Sequence, residues 1–497
     1  MRILMLGWEF PPFIAGGLGT ACHGLTRGLS HLGHDILFVL PRAIGKANAE
    51  HVTLMGPDGV AEVVESTRRV TIQHPAQRTL TQIPGKSTTV ETTEDVEVTE
   101  TRTTRRDKAA GGTRMFQIES GFSSPYGSGG AVGGEAGGED FTELIKSISQ
   151  RRSQTTTLGS ATWLEGLAAG RVEDIQEVVH SIQAMAAADN QYGSDLMGDA
   201  ERYAKVVAAL ALKTDFDVVH AHDWLTYPAG LAVKAVTGKP LVAHIHATEF
   251  DRSGNHINQQ VYDIERAGMH GADRVIAVSQ LTKNVVVHRY GATAEKVDVV
   301  YNGVEFNGAL QLEEGIRQED KIVLFLGRIT MQKGPEYFIR AAKRVLDKVE
   351  NVKFVVAGSG DMAVRMIEEA AHLGIGHKVL FTGFLRGRDV QRVFKLADCY
   401  VMPSVSEPFG IAPLEAMQQE TPVIISKQSG VSEVLSHALK VDFWDIDDMA
   451  NKIVAVLRYP PLSQTLREHG SFEVRNLTWD GAAEKTVKTY GRAIATS

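Results

Sequence analysis

Short apolar runs, each followed by a stretch of helical period, recur in two series along this chain, and that alternation leaves few folds open. The first series begins with the run at 2–6, continues into a helical stretch and a second strand, and resumes at 217–221, 240–246, 274–278 and 297–301. The second occupies 322–326, 352–357, 379–382, 398–402 and 422–425. Strands joined by helices pair in parallel, because a parallel neighbour needs a crossover and the helix supplies it. The expected fold class is therefore α/β, with two doubly wound Rossmann-like domains. Residues 1–302 form the first. Residues 303–320 lose the apolar period and gather Gly, Asn and acids as a linker does, and 321–476 form the second. A helical period with an N-cap candidate fills 477–497.

One stretch does not fit. Residues 66 to about 140 are crowded with Thr, Glu, Arg and then Gly, and hold few large apolar residues for a core. Such a composition predicts a disordered insertion, above all over 85–140, with a solvated hairpin in VEVTETRT as the alternative. Helical periods return over 140–212.

Charge and cysteines narrow the function classes. A net charge of −8, without a basic stripe, argues against a nucleic-acid surface and for small anions held locally. Two cysteines, Cys22 and Cys399, are too few and too far apart for a disulfide framework or a cysteine metal site. The start RILMLG lacks the features of a secretory signal, and no run of 18 apolar residues occurs. The expectation is a cytoplasmic protein with no transmembrane segment.

Several motifs carry chemistry. In SVSEPFGIAPLEAM, residues 404–417, Pro413 is tolerated only in a first helical turn, so a helix opens there. The preceding Phe409, Gly410 and Ile411 then present amides suited to a phosphate, with Glu407 before the helix and Glu415 within it as acceptors for hydroxyls. In FLGRITMQKG, Arg328 and Lys333 follow a strand, and a strand's carboxyl end is where open α/β sheets bind ligands. Such a pair suits a diphosphate. GGLG places Gly16 and Gly17 between a strand and a helix, where backbone can approach a phosphate. Each motif has a plainer reading: a capped surface helix with solvated acids, solvated cations, or turn glycines.

DVVHAHDW and LVAHIHATEFD end two strands with His220 and His222, and with His244 and His246. Period two places each pair on one face. Buried histidines satisfied by backbone are one outcome, and a metal hydrolase built on all four is another. Glycines Gly358 and Gly383, in GSGD and TGFL, end neighbouring strands of the second series.

Together these segments resemble the retaining GT-B glycosyltransferases that include glycogen and starch synthases and sucrose synthases, over residues 1–45 and 215–497. The Glu-x7-Glu and Arg-x4-Lys spacings match, and the blend of motifs is closest to bacterial glycogen synthase. The resemblance implies transfer of a sugar, most simply glucose from ADP-glucose or UDP-glucose, to a glycan acceptor such as an α-glucan. It implies no cofactor and no metal, because side chains and amides stabilise the leaving diphosphate on the front face. It further implies that Asp223 and His246 lie at the reacting sugar with Arg328, Lys333 and Glu407. By the same likeness Gly16, Gly17, Gly358, Gly383, Phe409, Gly410, Ile411 and Glu415 hold the donor, and 477–497 crosses back onto the first domain. A sister transferase with another sugar or a non-glucan acceptor shares every motif. One departure stands out: glycogen synthases carry a lysine two positions before the glycine pair, whereas this chain has Ile14.

Overall fold

The structure, a computed structural model, describes residues 1–11, 17–41, 196–305, 310 and 320–497, and the backbone of 52–55 and 113–117. The strands are β1 Arg2–Leu6, β2 Asp35–Leu40, β3 Val52–Met55, β4 Thr113–Gln117, β5 Val218–His222, β6 Leu241–Ile245, β7 Arg274–Ala277, β8 Val297–Val299, β9 Lys321–Leu326, β10 Val352–Ala357, β11 Val379–Gly383, β12 Cys399–Met402, β13 Val423–Ser426 and β14 Leu439–Val441.

They form two sheets, ordered β3-β4-β2-β1-β5-β6-β7-β8 and β11-β10-β9-β12-β13-β14, and every described ladder is parallel. β5 and β6 are buried at every position, as strands covered on both faces must be. In the first sheet Leu4, Leu6, Val219 and Ala221 face a core with the helices Leu196–Ala211 and Tyr227–Thr237, while Ile3, Met5, Val218 and Val242 face the opposite side.

That opposite side is closed by both ends of the chain. Helix Gly17–His31 packs against Trp479–Thr496, whose N-cap Thr478 accepts the Gly481 amide at 3.1 Å. Glycine is what lets the two helices meet, since a Cβ on Gly24 would lie 2.1 Å from the Trp479 ring and one on Gly28 2.6 Å from the Trp479 carbonyl oxygen.

One sequence expectation is corrected. Within 85–140, expected to be disordered, residues Thr113–Gln117 form a strand hydrogen-bonded between β2 and β3. The remainder of 66–140 lies outside the described residues. β14 was also not read from the sequence, because LKV is only three residues long with a charge at its centre.

The strand orders fix where a site must form. In the first sheet the chain runs outward from β1 to β2 and then returns to the other side at β5; in the second it runs from β9 to β10 and returns at β12. Ligands in open α/β sheets bind beyond the strands' carboxyl ends at such a reversal. The loops after β5, β6, β9 and β12 carry the residues singled out above.

Candidate active site

After β9 the chain passes Arg328 and makes a short turn at Met331–Lys333 that ends on Gly334. Gly334 has φ of 63°, and a Cβ there would lie 2.2 Å from the Pro403 carbonyl oxygen, so only glycine lets this turn rest on the loop after β12. The result is a pair: Lys333 Nζ donates to Glu407 Oε2 at 2.5 Å, and Ser404 Oγ donates to the same oxygen at 3.0 Å. Glu407 is held by its backbone as well, its amide donating to Gln428 O at 3.0 Å and its carbonyl accepting from Gly430 at 2.9 Å. Arg328 donates to Gln332 Oε1 at 3.3 Å. Two residues read separately from the sequence, one for the diphosphate and one for the sugar, therefore neutralise each other.

Past Glu407, Gly410 at φ of 102° turns the chain into helix Ala412–Gln418, with Pro413 in its first turn. The Ile411 carbonyl accepts the amides of Leu414 and Glu415, which starts the helix. Phe409 turns its ring into the core, and its carbonyl accepts from Val431 at 2.8 Å. Glu415 is partly buried in the first turn, and burial pushes its carboxyl up from the usual range. Gly358 donates to Gly383 O at 2.8 Å, so these two glycines sit side by side on the same rim. Gly17 opens its helix with open space where a Cβ would stand, whereas Gly16 and Ile14 lie outside the described residues.

The first sheet offers different chemistry. Asp223, directly after β5, has φ of 58°, a conformation that costs a non-glycine residue about 1–3 kcal/mol and marks functional sites. Its Oδ1 accepts the amides of His246 at 2.7 Å and Ala247 at 3.4 Å, which ties the ends of β5 and β6 together. Its Oδ2 is buried with no partner among the described residues, and burial, only partly offset by the His246 amide, drives the carboxyl up to about 7. Burial pushes His246 down to about 3, so it is neutral.

All four histidines stand in one cluster on the face covered by the terminal helix. His220 Nδ1 meets Tyr490 Oη at 2.5 Å and its Nε2 meets His244 Nδ1 at 3.1 Å, while His222 Nδ1 meets His246 Nε2 at 2.9 Å. Burial, then the neighbouring imidazoles, hold His220, His222 and His244 well below their usual range. Ring nitrogens of His220, His222 and His244 lie within 4.8 Å of one another, close enough for a cation. Yet both nitrogens of His220 are engaged, and of these three residues only Nε2 of His222 and of His244 lack partners among the described residues. Two ligands fall short of the three protein ligands of a catalytic zinc site.

The two crevices touch. Ser406 Oγ, beside Glu407, donates to Asp251 Oδ1 at 2.6 Å, and Asp251 Oδ2 caps the Thr248 amide and hydroxyl at 2.8 and 2.7 Å. Glu433 accepts the amides of Gln280 and Leu281 at 2.8 and 2.7 Å, at the start of helix Gln280–Tyr290, and the Tyr301 hydroxyl at 3.0 Å. Burial and then Glu433 push Tyr301 up to about 12. Sequence reasoning missed these bridges. The Thr-x-x-Asp of a capping box does signal the role of Asp251, but nothing local signals Glu433.

Two doubly wound parallel sheets, each with a strand-order reversal and joined by contacts between the loops there, have the architecture of GT-B glycosyltransferases. The family described as Glycosyl transferases group 1 matches residues 309–471, Glycosyltransferase Family 4 matches 172–307, and Starch synthase catalytic domain matches 2–103. An uncharacterized glycosyltransferase of Methanocaldococcus jannaschii is 35% identical over 298 residues, covering 56% of this chain and 76% of that one. A D-inositol 3-phosphate glycosyltransferase of Mycolicibacterium smegmatis is 30% identical over 307 residues, covering 56% and 68%. A glycogen synthase of Mycobacterium tuberculosis is 27% identical over 335 residues, covering 63% and 81%. Among solved structures, sucrose-phosphate synthase from Thermosynechococcus elongatus superposes with a TM-score of 0.65 at 16% identity over 100% of both chains. Anabaena HepE in complex with UDP-glucose does so at 0.52 and 19%, covering 68% of this chain and 98% of that one. The chain belongs to the GT-B glycosyltransferases, and it is similar to the glycogen and starch synthases among them. No helix among the described residues is long and apolar enough to cross a membrane.

Proposed function

We propose that this glycosyltransferase moves glucose from ADP-glucose or UDP-glucose to an α-glucan with retention of anomeric configuration. The donor sits on the second sheet and the acceptor on the first. The observation that carries the reading is the Lys333–Glu407 pair beside Arg328 at the reversal point of the second sheet. A donor diphosphate competes with Glu407 for Lys333. Once Lys333 turns to phosphate, the Glu407 carboxylate is released to accept hydrogen bonds from sugar hydroxyls, while Glu415 holds the ribose.

As the glycosidic bond to the diphosphate breaks, negative charge grows on the leaving oxygens. Arg328 and Lys333 stabilise that charge more in the transition state than in the ground state, which is the condition for raising kcat. Asp223 and His246 hold the sugar from the other side, and the leaving phosphate takes the acceptor's proton. Support for the donor and acceptor comes from the glycogen synthase relative and from HepE, which was solved with UDP-glucose. Release of nucleoside diphosphate from a panel of nucleotide sugars, with and without glycogen, tests the reading. Stimulation by glycogen with a glucose donor is expected, and turnover that ignores glycogen overturns the acceptor assignment.

A second reading, transfer to a phosphorylated cyclitol, draws on the D-inositol 3-phosphate glycosyltransferase relative and is tested by adding inositol phosphate to the same panel. The four-histidine hydrolase reading has no such support, since most of the cluster's nitrogens are bonded to one another or to Tyr490.

A further inference from the structure

Of the four clustered histidines, the reaction proposed above uses only His246. The pairing of His222 with it calls for an account. One of His222 Nδ1 and His246 Nε2, 2.9 Å apart, must carry the shared proton, because two lone pairs would repel. The other nitrogen of His222, Nε2, is buried with no partner among the described residues. Were the His222 proton on Nε2, a buried N–H would be left unpaired among the described residues, and orphaned buried N–H groups are rarer than under-satisfied acceptors. The proton therefore belongs on His222 Nδ1.

We propose that His222 is a positioning residue: it donates Nδ1–H to Nε2 of His246 and so fixes the His246 proton on Nδ1, making that nitrogen the donor offered to the sugar. The inference rests on the reading that His246 meets the donor sugar. The surroundings keep the pair in place. His222 stacks on His220 at 4.3 Å between centroids and His246 stacks on His244 at 4.2 Å. His220 is in turn pinned by Tyr490 from the terminal helix and by His244, and Asp223 holds the His246 backbone amide. Ring orientation is thus set by packing and tautomer by His222. With its proton on Nδ1, His246 is a neutral hydrogen-bond donor; with the proton on Nε2 it would offer the sugar a lone pair instead, and the hydroxyl would have to turn around.

The test uses the full chain labelled with 15N-histidine, with the His246 signals assigned by their loss in His246→Gln. Long-range 1H–15N spectra at neutral pH are expected to show His246 protonated on Nδ1. His222→Phe, which keeps an aromatic ring but no donor, is expected to give a tautomer mixture and a kcat lower by about tenfold or more with KM little changed. His222→Asn places an amide where Nδ1 stood and is expected to restore both the tautomer and most of the turnover. A wild-type His246 protonated on Nε2 overturns the proposal even if His222→Phe fails to fold. An unchanged tautomer in a folded His222→Phe also overturns it. Failure of the underlying reading shows separately: His246→Gln would then turn over normally, whatever the spectra say about His222.

Discussion

At the ends of β9 and β12 the side chains are ionised groups in contact, Lys333 on Glu407 beside Arg328, whereas at the ends of β5 and β6 they are four imidazoles and an aspartic acid that burial holds neutral or nearly so. The difference follows the charge that develops in the reaction proposed here. A departing diphosphate gains charge and needs cations that are already in place. A sugar ring has only hydroxyls to offer, and directed neutral donors and acceptors meet it without attracting competing ions. The groups that meet across the crevice are others: Asp251 accepts from Ser406 and Glu433 from the amides of Gln280 and Leu281.

Lys333→Ala strikes the charged side hardest. In the proposed reaction it removes the cation facing the diphosphate, and it strands the Glu407 carboxylate in a buried position, so kcat/KM is expected to fall by about 100- to 1,000-fold. Arg328→Ala is expected to fall similarly, and the double variant by less than the product if both serve one phosphate. Near-normal turnover in both single variants would erase the proposed division of labour. Next in size, Glu407→Gln is expected to lower kcat, while Glu415→Gln, at the carboxyl proposed to hold the ribose equally in ground and transition states, is expected to raise KM and spare kcat. A kcat collapse confined to Glu415→Gln would mean that the two carboxylates are exchanged.

The neutral side should show itself in acid. The four histidines are held below their ordinary value of 6.5, so under that pH the unfolded chain takes up protons that the folded chain refuses. Their stabilisation is present above 6.5 and lost as pH falls, at up to about 1.4 kcal/mol per group per pH unit. Asp223 runs the other way. Its carboxyl, raised from 3.8 to about 7, keeps a proton in the folded state across that window, so its contribution is lost as pH rises. The expected result is a Tm that falls steeply from pH 6.5 to 5, and an Asp223→Asn variant that gains on wild type between pH 5 and 8. A pH-independent difference between the two would show that Asp223 is ionised throughout.

Smaller still, Ser406→Ala removes one hydrogen bond between the two crevices and is expected to weaken donor turnover severalfold, on the order of 1 kcal/mol. Excess EDTA is expected to change nothing, because in the reaction proposed here Arg328 and Lys333 supply the positive charge at the diphosphate. Chelator inactivation together with stoichiometric zinc in the purified protein would move the chemistry to the histidines.

Much of this was visible in the sequence. Parallel strands buried on both faces read as apolar runs, so β5, β6, β9, β10 and β12 could be placed within about a residue, and Pro413 marked a helix start that the structure shares. β4 escaped notice because TRMFQ sits in a stretch poor in apolar residues and is itself part charged. Side-chain partnerships were harder to read. Lys333 and Glu407 are 74 positions apart and His222 and His246 are 24 apart, and neither pairing has a local signature. The sequence could say which groups stand at a strand's end, but not that one would hold another's proton.

The helix Trp479–Thr496 also sets when the first sheet can be covered during synthesis on the ribosome. It shares a core with Ile3, Met5, Leu25 and Leu29, and its Trp479 ring fills the space beside Gly24. During synthesis that face of the first sheet waits with its apolar side uncovered while β9 to β14 emerge and pair among themselves. The half made first waits for a helix made after the second half, and Tyr490 reaches His220 only when residues 479–496 arrive. A nascent chain stalled before residue 479 would therefore expose the first sheet's hydrophobic face to chaperones and proteases, even with its second sheet fully assembled.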